Sequence, residues 1–179
     1  MNHIVMLLSN GYRPDPRVER EANALVLAGY QVTVIAWDRQ VEFPQNETIH
    51  GVNIKRVQNT PTRYGSGPRQ IFYTPRFWYA AIQQANEIKP DIIHCHDLDT
   101  LYAGVIIKKH LHCPLVFDAH EDYPALMSLY LPSFMTRLLA HLENSLLRHV
   151  DALLTASIVL AEKYQAVTKL KITPIPNVQ

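Results

Sequence analysis

The stretch from Pro90 to Pro124 constrains the fold of this chain more than any other segment. It contains two apolar runs, 91–97 and 114–118, and residues 101–111 between them have the pattern of a helix. A strand, a helix and a second strand of these lengths are about the minimum for a right-handed crossover between parallel strands. We therefore predict a β-α-β unit whose two strands end at the same edge of one sheet.

Polar side chains follow both predicted strands at the point where each strand ends. Because parallel strands end together, we expect these side chains to lie close to one another, at the edge where open α/β sheets bind ligands. They are His96, Asp97, Asp99, His120, Glu121 and Asp122. His94 lies two residues deeper than His96 on the same face, so we expect a core histidine with satisfied hydrogen bonds.

The remaining chain alternates between strands and helices. Further strands are predicted at 3–9, 31–36, 51–57, 151–156 and 171–175, and helices at 16–28, 70–89, 131–150 and 158–166. Residues 59–69, rich in Pro, Gly, Ser and Thr, are predicted to form a mobile loop. The alternation predicts an α/β fold: a single domain over 1–179 with a doubly wound, mainly parallel Rossmann-like sheet and helices on both faces.

Composition excludes several classes of protein. The chain is 47% hydrophobic and 18% charged with a net charge of +1, which fits a soluble globular protein and gives no sign of a nucleic-acid partner. Cys95 and Cys113 lie in or beside apolar strands and are expected to be reduced thiols. Reduced thiols indicate a cytoplasmic protein. No apolar run reaches transmembrane length.

The loop after the first strand, Asn10–Pro16, lacks the G-x-G-x-x-G pattern of dinucleotide-binding proteins. Gly11 is its one glycine, so a tightly held dinucleotide is not predicted there. Arg13 and Arg17 flank the start of the next helix and could bind an anion. In the alternative, Arg13 is solvated and Arg17 pairs with Glu21, one helical turn further on.

Several segments, in order along nearly the whole chain, resemble family-4 retaining glycosyltransferases of the GT-B architecture. The end of the strand at 91–97 is similar to the D-(apolar)₂-H-x-H-D pattern of that family, and Phe117–Glu121 to the strand end that carries its active-site histidine. The other matching segments are 15–18 with 29–35, 142–157, and the hinge-like 175–178.

The resemblance implies a specific architecture. Such enzymes have two Rossmann-like lobes, of which the N-terminal one binds the acceptor and the C-terminal one holds a nucleotide-sugar donor with an E-x₇-E glutamate pair. This chain corresponds to the first lobe, so the donor lobe is expected to lie outside it and the isolated chain to be inactive. Many relatives have a glycine pair after the first strand, whereas this chain has Gly11-Tyr12-Arg13.

The resemblance also implies roles for individual residues. His120 corresponds to the catalytic histidine, which stabilises an oxocarbenium-like transition state by positioning and electrostatics. The substrate-binding residues are expected to be Gly11, Arg13, Arg17, Asp97, Glu121 and Ser157. No metal and no cofactor is expected, the nucleotide sugar being a substrate. The acceptor would be a sugar or lipid-linked glycan, with peripheral membrane contact through the apolar segment 129–139.

Two alternatives remain open on the residues alone. A metal-dependent hydrolase could use the imidazole and carboxylate groups of the strand ends, which are ligands for zinc or manganese. The candidate ligands are His94, His96, Asp97, Asp99, His120, Glu121 and Asp122. The other alternative is a non-catalytic binding domain.

Overall fold

A computed structural model describes residues 2–13, 15–58 and 72–176. Its strands are β1 His3–Leu8, β2 Gln31–Trp37, β3 Asn46–Ile49, β4 Val52–Val57, β5 Ile92–His96, β6 Leu115–Ala119, β7 Ala152–Thr155 and β8 Ile172–Pro174. Its helices are α1 Pro16–Leu27, α2 Thr74–Ile88, α3 Leu98–Leu111, α4 Tyr123–Met127, α5 Ser133–Leu147 and α6 Ile158–Gln165. The loop predicted at 59–69 lies outside the described residues, as do the last two residues of the hinge-like segment.

One sheet organises the described chain, with the strand order β3-β4-β2-β1-β5-β6-β7-β8. Every neighbouring pair is parallel except β3 and β4. The strand order reverses direction at β1, from which the chain first moves to β2 and later to β5. The predicted α/β fold with a mainly parallel sheet is confirmed, and β1, β2, β5 and β6 end at the same edge.

Two hydrophobic clusters cover the two faces of the sheet. One face is covered by α1, whose Val18 and Ala22 pack on Met6 and Val34. The other face is covered by α2, α3, α5 and α6. Alternate residues of each central strand contribute to opposite clusters, as expected for strands buried on both faces. The prediction of helices on both faces is therefore confirmed.

The antiparallel strand β3 was not predicted, because the sequence indicated no element between the strands at 31–36 and 51–57. It pairs with β4 through a tight turn in which His50 and Gly51 both have positive φ, 48° and 84°. Such two-residue turns suit the twist of a hairpin. Because β3 is a short edge strand that is largely solvent-exposed, its residues Asn46–Ile49 lack the apolar pattern that would have indicated it.

Helix α3 lies unusually close to the sheet at Gly104. A Cβ atom at this position would collide with the Cys95 sulfur and lie 3.0 Å from a methyl group of Leu115. Both neighbours are fully buried core residues of β5 and β6. The glycine therefore lets α3 approach the two strands whose ends carry the predicted site.

We predict that Gly104→Ala destabilises the protein. Overpacking a core costs up to about 3 kcal/mol, which exceeds the ~1 kcal/mol that alanine gains over glycine within a helix. The free energy of unfolding should fall by about 1–2 kcal/mol, measured by thermal or denaturant melts. Lys109→Ala, at an exposed position of the same helix, is the control and should change it by less than about 0.5 kcal/mol. A more stable Gly104→Ala would contradict the close approach.

Candidate active site

Asp97, directly after β5, has an unusual backbone conformation. Its φ of 62° and ψ of 164° lie in a region that is essentially restricted to glycine. Several hydrogen bonds hold it: its N–H donates to the Asp118 carbonyl at 2.9 Å, and its own carbonyl accepts from the Thr100 N–H at 3.2 Å and hydroxyl at 3.1 Å. Strained residues of this kind persist where surrounding contacts enforce them, commonly at functional sites.

The Asp97 carboxylate joins the ends of β5 and β6. Its Oδ1 accepts a hydrogen bond from the His120 backbone N–H at 3.0 Å, and its Oδ2 lies 3.7 Å from His120 Nδ1. Burial raises the pKa of Asp97 to about 7, although the charge of His120 opposes this shift. Asp97 therefore both anchors the loop that follows β6 and faces the imidazole of His120.

The imidazole of His120 points into the protein and is mostly buried, with 17% of its side chain exposed. Its Nε2 lies 3.1 Å from His96 Nδ1 and 3.3 Å from Asp118 Oδ2. Burial alone would lower the pKa of His120, but the hydrogen bond with Asp118 and the charges of Asp97 and Asp118 raise it above the ordinary value. The surroundings thus favour the imidazolium form.

Asp118 is completely buried and bonds to α1 as well as to His120. Arg17 Nη2 donates to Asp118 Oδ1 at 2.5 Å, and Arg17 Nε donates to Glu21 Oε1 at 3.1 Å. Burial opposes ionisation of Asp118, but its hydrogen bond with His120 and the nearby histidines hold its pKa below the ordinary value. Burial raises the pKa of Glu21 to about 7, helped by the charge of Asp118 and opposed by Arg17.

The start of α1 determines where Arg17 lies. Asp15 caps the helix by accepting a hydrogen bond from the Val18 N–H at 3.2 Å, and Pro16 occupies the first helical position. This cap directs Arg17 and Glu21, one turn apart, towards β6.

Three histidines form a row along β5 and β6. The ring centroids of His94 and His96 are 4.3 Å apart, and those of His96 and His120 are 5.3 Å apart. Burial lowers the pKa of His94 to about 4 and that of His96 well below its ordinary value, so both are neutral at pH 7. His94 is a core residue as predicted, but its Nε2 lacks a hydrogen-bond partner among the described residues, so the expectation of satisfied hydrogen bonds was wrong.

Among the residues that the structure describes, a group of four side chains in this region has the ligand types of a metal site. Ligand atoms of Glu21, His94, His96 and Asp118 lie within 4.8 Å of one another. Only the two histidines belong to the ligand set predicted for a hydrolase. The Arg17 guanidinium already contacts both carboxylates and would repel a metal cation. We therefore assign no metal to this group.

Gly11 and Arg13 line a cavity of about 340 Å³ at the ends of β1 and β2. Its other lining residues are Asn10, Asp38, Arg39, Gln40, Glu42 and Phe43. Gly11 is constrained here because a Cβ atom would lie 3.2 Å from the Phe43 ring, and its carbonyl accepts a hydrogen bond from Arg56 Nε at 3.0 Å. Burial raises the pKa of Asp99, against the opposing effects of a hydrogen bond with Ser9 and of the charges of Arg39 and His120.

The other predicted site residues are spread along the edge. Glu121 is exposed. Asp122 caps α4 through the Ala125 N–H at 3.1 Å and pairs with Lys163 Nζ at 2.7 Å. Ser157 caps α6, accepting a hydrogen bond from the Leu160 N–H at 3.2 Å.

Sequence reasoning missed the role of Asp118 and did not pair Arg17 with it. One signal was available: an aspartate inside a strand that is buried on both faces needs a charged partner. The pairing of Arg17 with Glu21, considered as an alternative to anion binding, is present.

The fold and its family can be compared with known proteins. The family model described as Glycosyltransferase Family 4 matches residues 17–178. A protein of Mycobacterium tuberculosis (strain CDC 1551 / Oshkosh) named glycogen synthase is 22% identical over 154 residues, covering 78% of this chain and 37% of the relative. The chain thus spans little more than a third of that relative's length.

Solved structures share the fold at low identity. A sucrose-phosphate synthase from Thermosynechococcus elongatus superposes with a TM-score of 0.75 at 16% identity, over 98% of this chain and 48% of that one. Anabaena HepE, solved in complex with UDP and glucose, superposes with a TM-score of 0.62 at 16% identity, over 100% of this chain and 45% of that one. The comparisons lend no support to a metal-dependent hydrolase. The resemblance seen in the sequence is confirmed: this chain belongs to glycosyltransferase family 4 and has the fold of the N-terminal lobe of a GT-B glycosyltransferase.

Proposed function

We propose that the full-length protein is a retaining glycosyltransferase that moves a sugar from a nucleotide-sugar donor to a glycan or lipid-linked acceptor. This chain is its acceptor-binding lobe. The observation that carries the proposal is His120, which is held at the ligand-binding edge of the sheet by Asp97 and Asp118. The relative named glycogen synthase and the HepE structure with UDP and glucose support a sugar nucleotide as the donor.

Retaining transfer suits this arrangement because the reaction depends on positioning and on stabilising charge. Positive charge develops on the transferred sugar, and negative charge develops on the departing diphosphate. The raised pKa of His120 keeps its imidazolium form populated near neutral pH. Its exposed edge could then donate a hydrogen bond towards the donor, while Asp118 and Asp97 keep the ring in place.

The acceptor would occupy the same edge. Asp97 and Glu121 offer carboxylate oxygens to its hydroxyl groups, and Ser157 adds a hydroxyl. The cavity beside Gly11 and Arg13, at about 340 Å³, has room for part of a glycan and both charged and aromatic lining groups. Arg17, by contrast, is buried and already bonded to two carboxylates, so it would have to break these bonds to touch a substrate.

We predict that His120→Ala in the full-length enzyme lowers kcat by roughly 10²–10³-fold, as for the loss of one preorganised polar group. The measurement is steady-state kcat with a thermal melt of each preparation. His149→Ala, which removes a half-buried histidine at the end of α5, should leave kcat unchanged. Because the imidazolium is the proposed active form, wild-type kcat should fall as the pH rises through the elevated pKa, above 6.5.

Asp118→Asn tests how much the buried carboxylate contributes to stability. Removing this carboxylate takes away one of the two ion pairs of the buried Arg17 and should cost about 3–5 kcal/mol of unfolding free energy at pH 7. The folded-state pKa of Asp118 is depressed, so its contribution is present above about pH 4 and is lost at lower pH. The difference in unfolding free energy between the wild type and Asp118→Asn should therefore decrease as the pH falls below about 4.

Normal kcat in a folded His120→Ala would eliminate His120 as the catalytic histidine.

The donor is predicted to bind mainly to the other lobe. The chain 1–179 by itself should then show no transfer and little affinity for UDP- or GDP-sugars in calorimetry, whereas the full-length protein should bind its donor. This outcome is expected because the described cavity beside Gly11 lacks the phosphate-binding glycine pattern. Tight binding of a nucleotide sugar by the chain 1–179 would contradict the assignment of the donor to the second lobe.

We further propose that α4 and α5 contact the surface of a membrane that holds a lipid-linked acceptor. No helix within the described ranges has the length and apolarity needed to span a bilayer. Several apolar side chains of α4, of α5 and of the turn between them are nevertheless strongly exposed. They are Leu126, Leu129, Tyr130, Phe134, Leu138 and Leu142, with exposed fractions of 37–74%. Helix α4 also begins directly after the loop that carries His120. Arg137 and His141 are exposed beside them, which suits an interfacial helix at the inner face of the membrane.

We expect the full-length protein to sediment with vesicles of phosphatidylcholine and phosphatidylglycerol, and Phe134→Asp with Leu138→Asp to reduce the bound fraction at least several-fold. Burying each apolar side chain in lipid contributes about 1.5–3 kcal/mol. Leu27→Asp, at a position 89% exposed on α1, should bind like wild type. Equal losses of binding in both variants would show that α5 is not the specific contact with the vesicles. No binding by the wild type would show that another part of the protein covers these exposed side chains.

A further inference from the structure

We propose that Arg17 is a positioning residue for His120: it fixes the Asp118 carboxylate, which in turn orients the imidazole. The inference rests on the proposed role of His120 and names a residue through which that role is maintained. It also assigns Arg17 to the interior of the site, in place of the contact with a substrate anion expected from its position near the start of α1.

The two oxygens of Asp118 face different groups. Oδ1 accepts from Arg17 Nη2 at 2.5 Å, and Oδ2 lies 3.3 Å from His120 Nε2. Because Arg17 is also bonded to Glu21 on the same helix, its guanidinium cannot rotate away without breaking two ion pairs. Helix α1 therefore holds the plane of the Asp118 carboxylate, so the oxygen that faces His120 Nε2 has a fixed orientation.

The charges within the cluster also favour this arrangement. The cluster consists of Arg17 and Glu21 of α1, His94 and His96 of β5, Asp118 of β6, and His120. Asp97 and Asp99 face it from the start of α3. His94 and His96 are neutral at pH 7, which leaves Arg17 and the His120 imidazolium as the cations. Arg17 balances part of the acidic charge and thereby limits how far the pKa of His120 rises.

Burial distinguishes this role from anion binding. Arg17 is 7% exposed, whereas Arg13, which lines the cavity, is exposed. The fork of a guanidinium suits two carboxylates at once, and a lysine can replace its charge but not its geometry. Charge and orientation can thus be tested separately at this position.

The test uses the full-length protein labelled with ¹³C-histidine, with the His120 signal assigned by its absence in His120→Gln. In Arg17→Met, we expect the pKa of His120 to shift upwards, since a nearby positive charge is removed, and kcat to fall by about 10²-fold through misplacement of the ring. Arg17→Lys should keep the pKa of His120 near the wild-type value and recover only part of kcat.

Loss of stability is controlled in two ways. Arg56→Met removes another fully buried arginine, which pairs with Glu47 and lies on β4, with β2, β1 and β5 between it and β6. It should lower the melting temperature and leave the pKa of His120 unchanged. If Arg17→Met does not fold, adding Glu21→Gln removes one of the two carboxylates left unpaired and allows the same titration.

Three outcomes would be decisive. An unchanged pKa of His120 in folded Arg17→Met would overturn the proposal. A raised KM for the donor, with kcat and the pKa of His120 both unchanged, would also overturn it in favour of anion binding. A shifted pKa of His120 together with a fully active His120→Ala would support the positioning contact while refuting the proposed catalytic role, so the two failures are distinguishable.

Discussion

The buried ion pair between Arg17 and Asp118 is the interaction on which the rest of the site depends. Taking two charges out of water costs several kcal/mol per ion, and the attraction compensates only when the geometry is good and the remaining polar atoms are bonded. Here the second carboxylate oxygen of Asp118 lies 3.3 Å from His120 Nε2 and the guanidinium also bonds to Glu21, whereas Arg17 Nη1 and Glu21 Oε2 have no hydrogen-bond partner among the described residues. The N-terminal helix and the β-α-β unit therefore form one site, although 101 residues separate the two partners.

This constraint explains why the two faces of the sheet differ around β5 and β6. On one face Cys95 and Phe117 are apolar and pack against α3 and the other helices of that layer. On the other face the same strands carry His94, His96 and Asp118, opposite the polar start of α1. The polar site thus extends from the edge into the interior, and the unusual backbone of Asp97 lies where it reaches the surface.

Local patterns in the sequence were sufficient to determine the architecture. Strand and helix periodicities and the spacing of the 90–124 segment predicted a mainly parallel sheet with its polar residues at one edge. They also predicted that His96 and His120 meet, because parallel neighbouring strands must end together. The edge strand β3 escaped this reasoning because exposed edge residues carry no apolar pattern.

Tertiary structure alone decided which groups the site residues contact. An arginine near a helix start is compatible with a bound anion, a solvated side chain or an ion pair, and only the packing of α1 on β6 selects Asp118 as the partner of Arg17. The inward orientation of His120 and the shifted pKa of Asp97 likewise depend on burial and on charges from several elements. The sequence by itself determined the periodicities that build the sheet and place polar residues at its edge. The pairing of charges depends on distances in the folded state that periodicity does not contain.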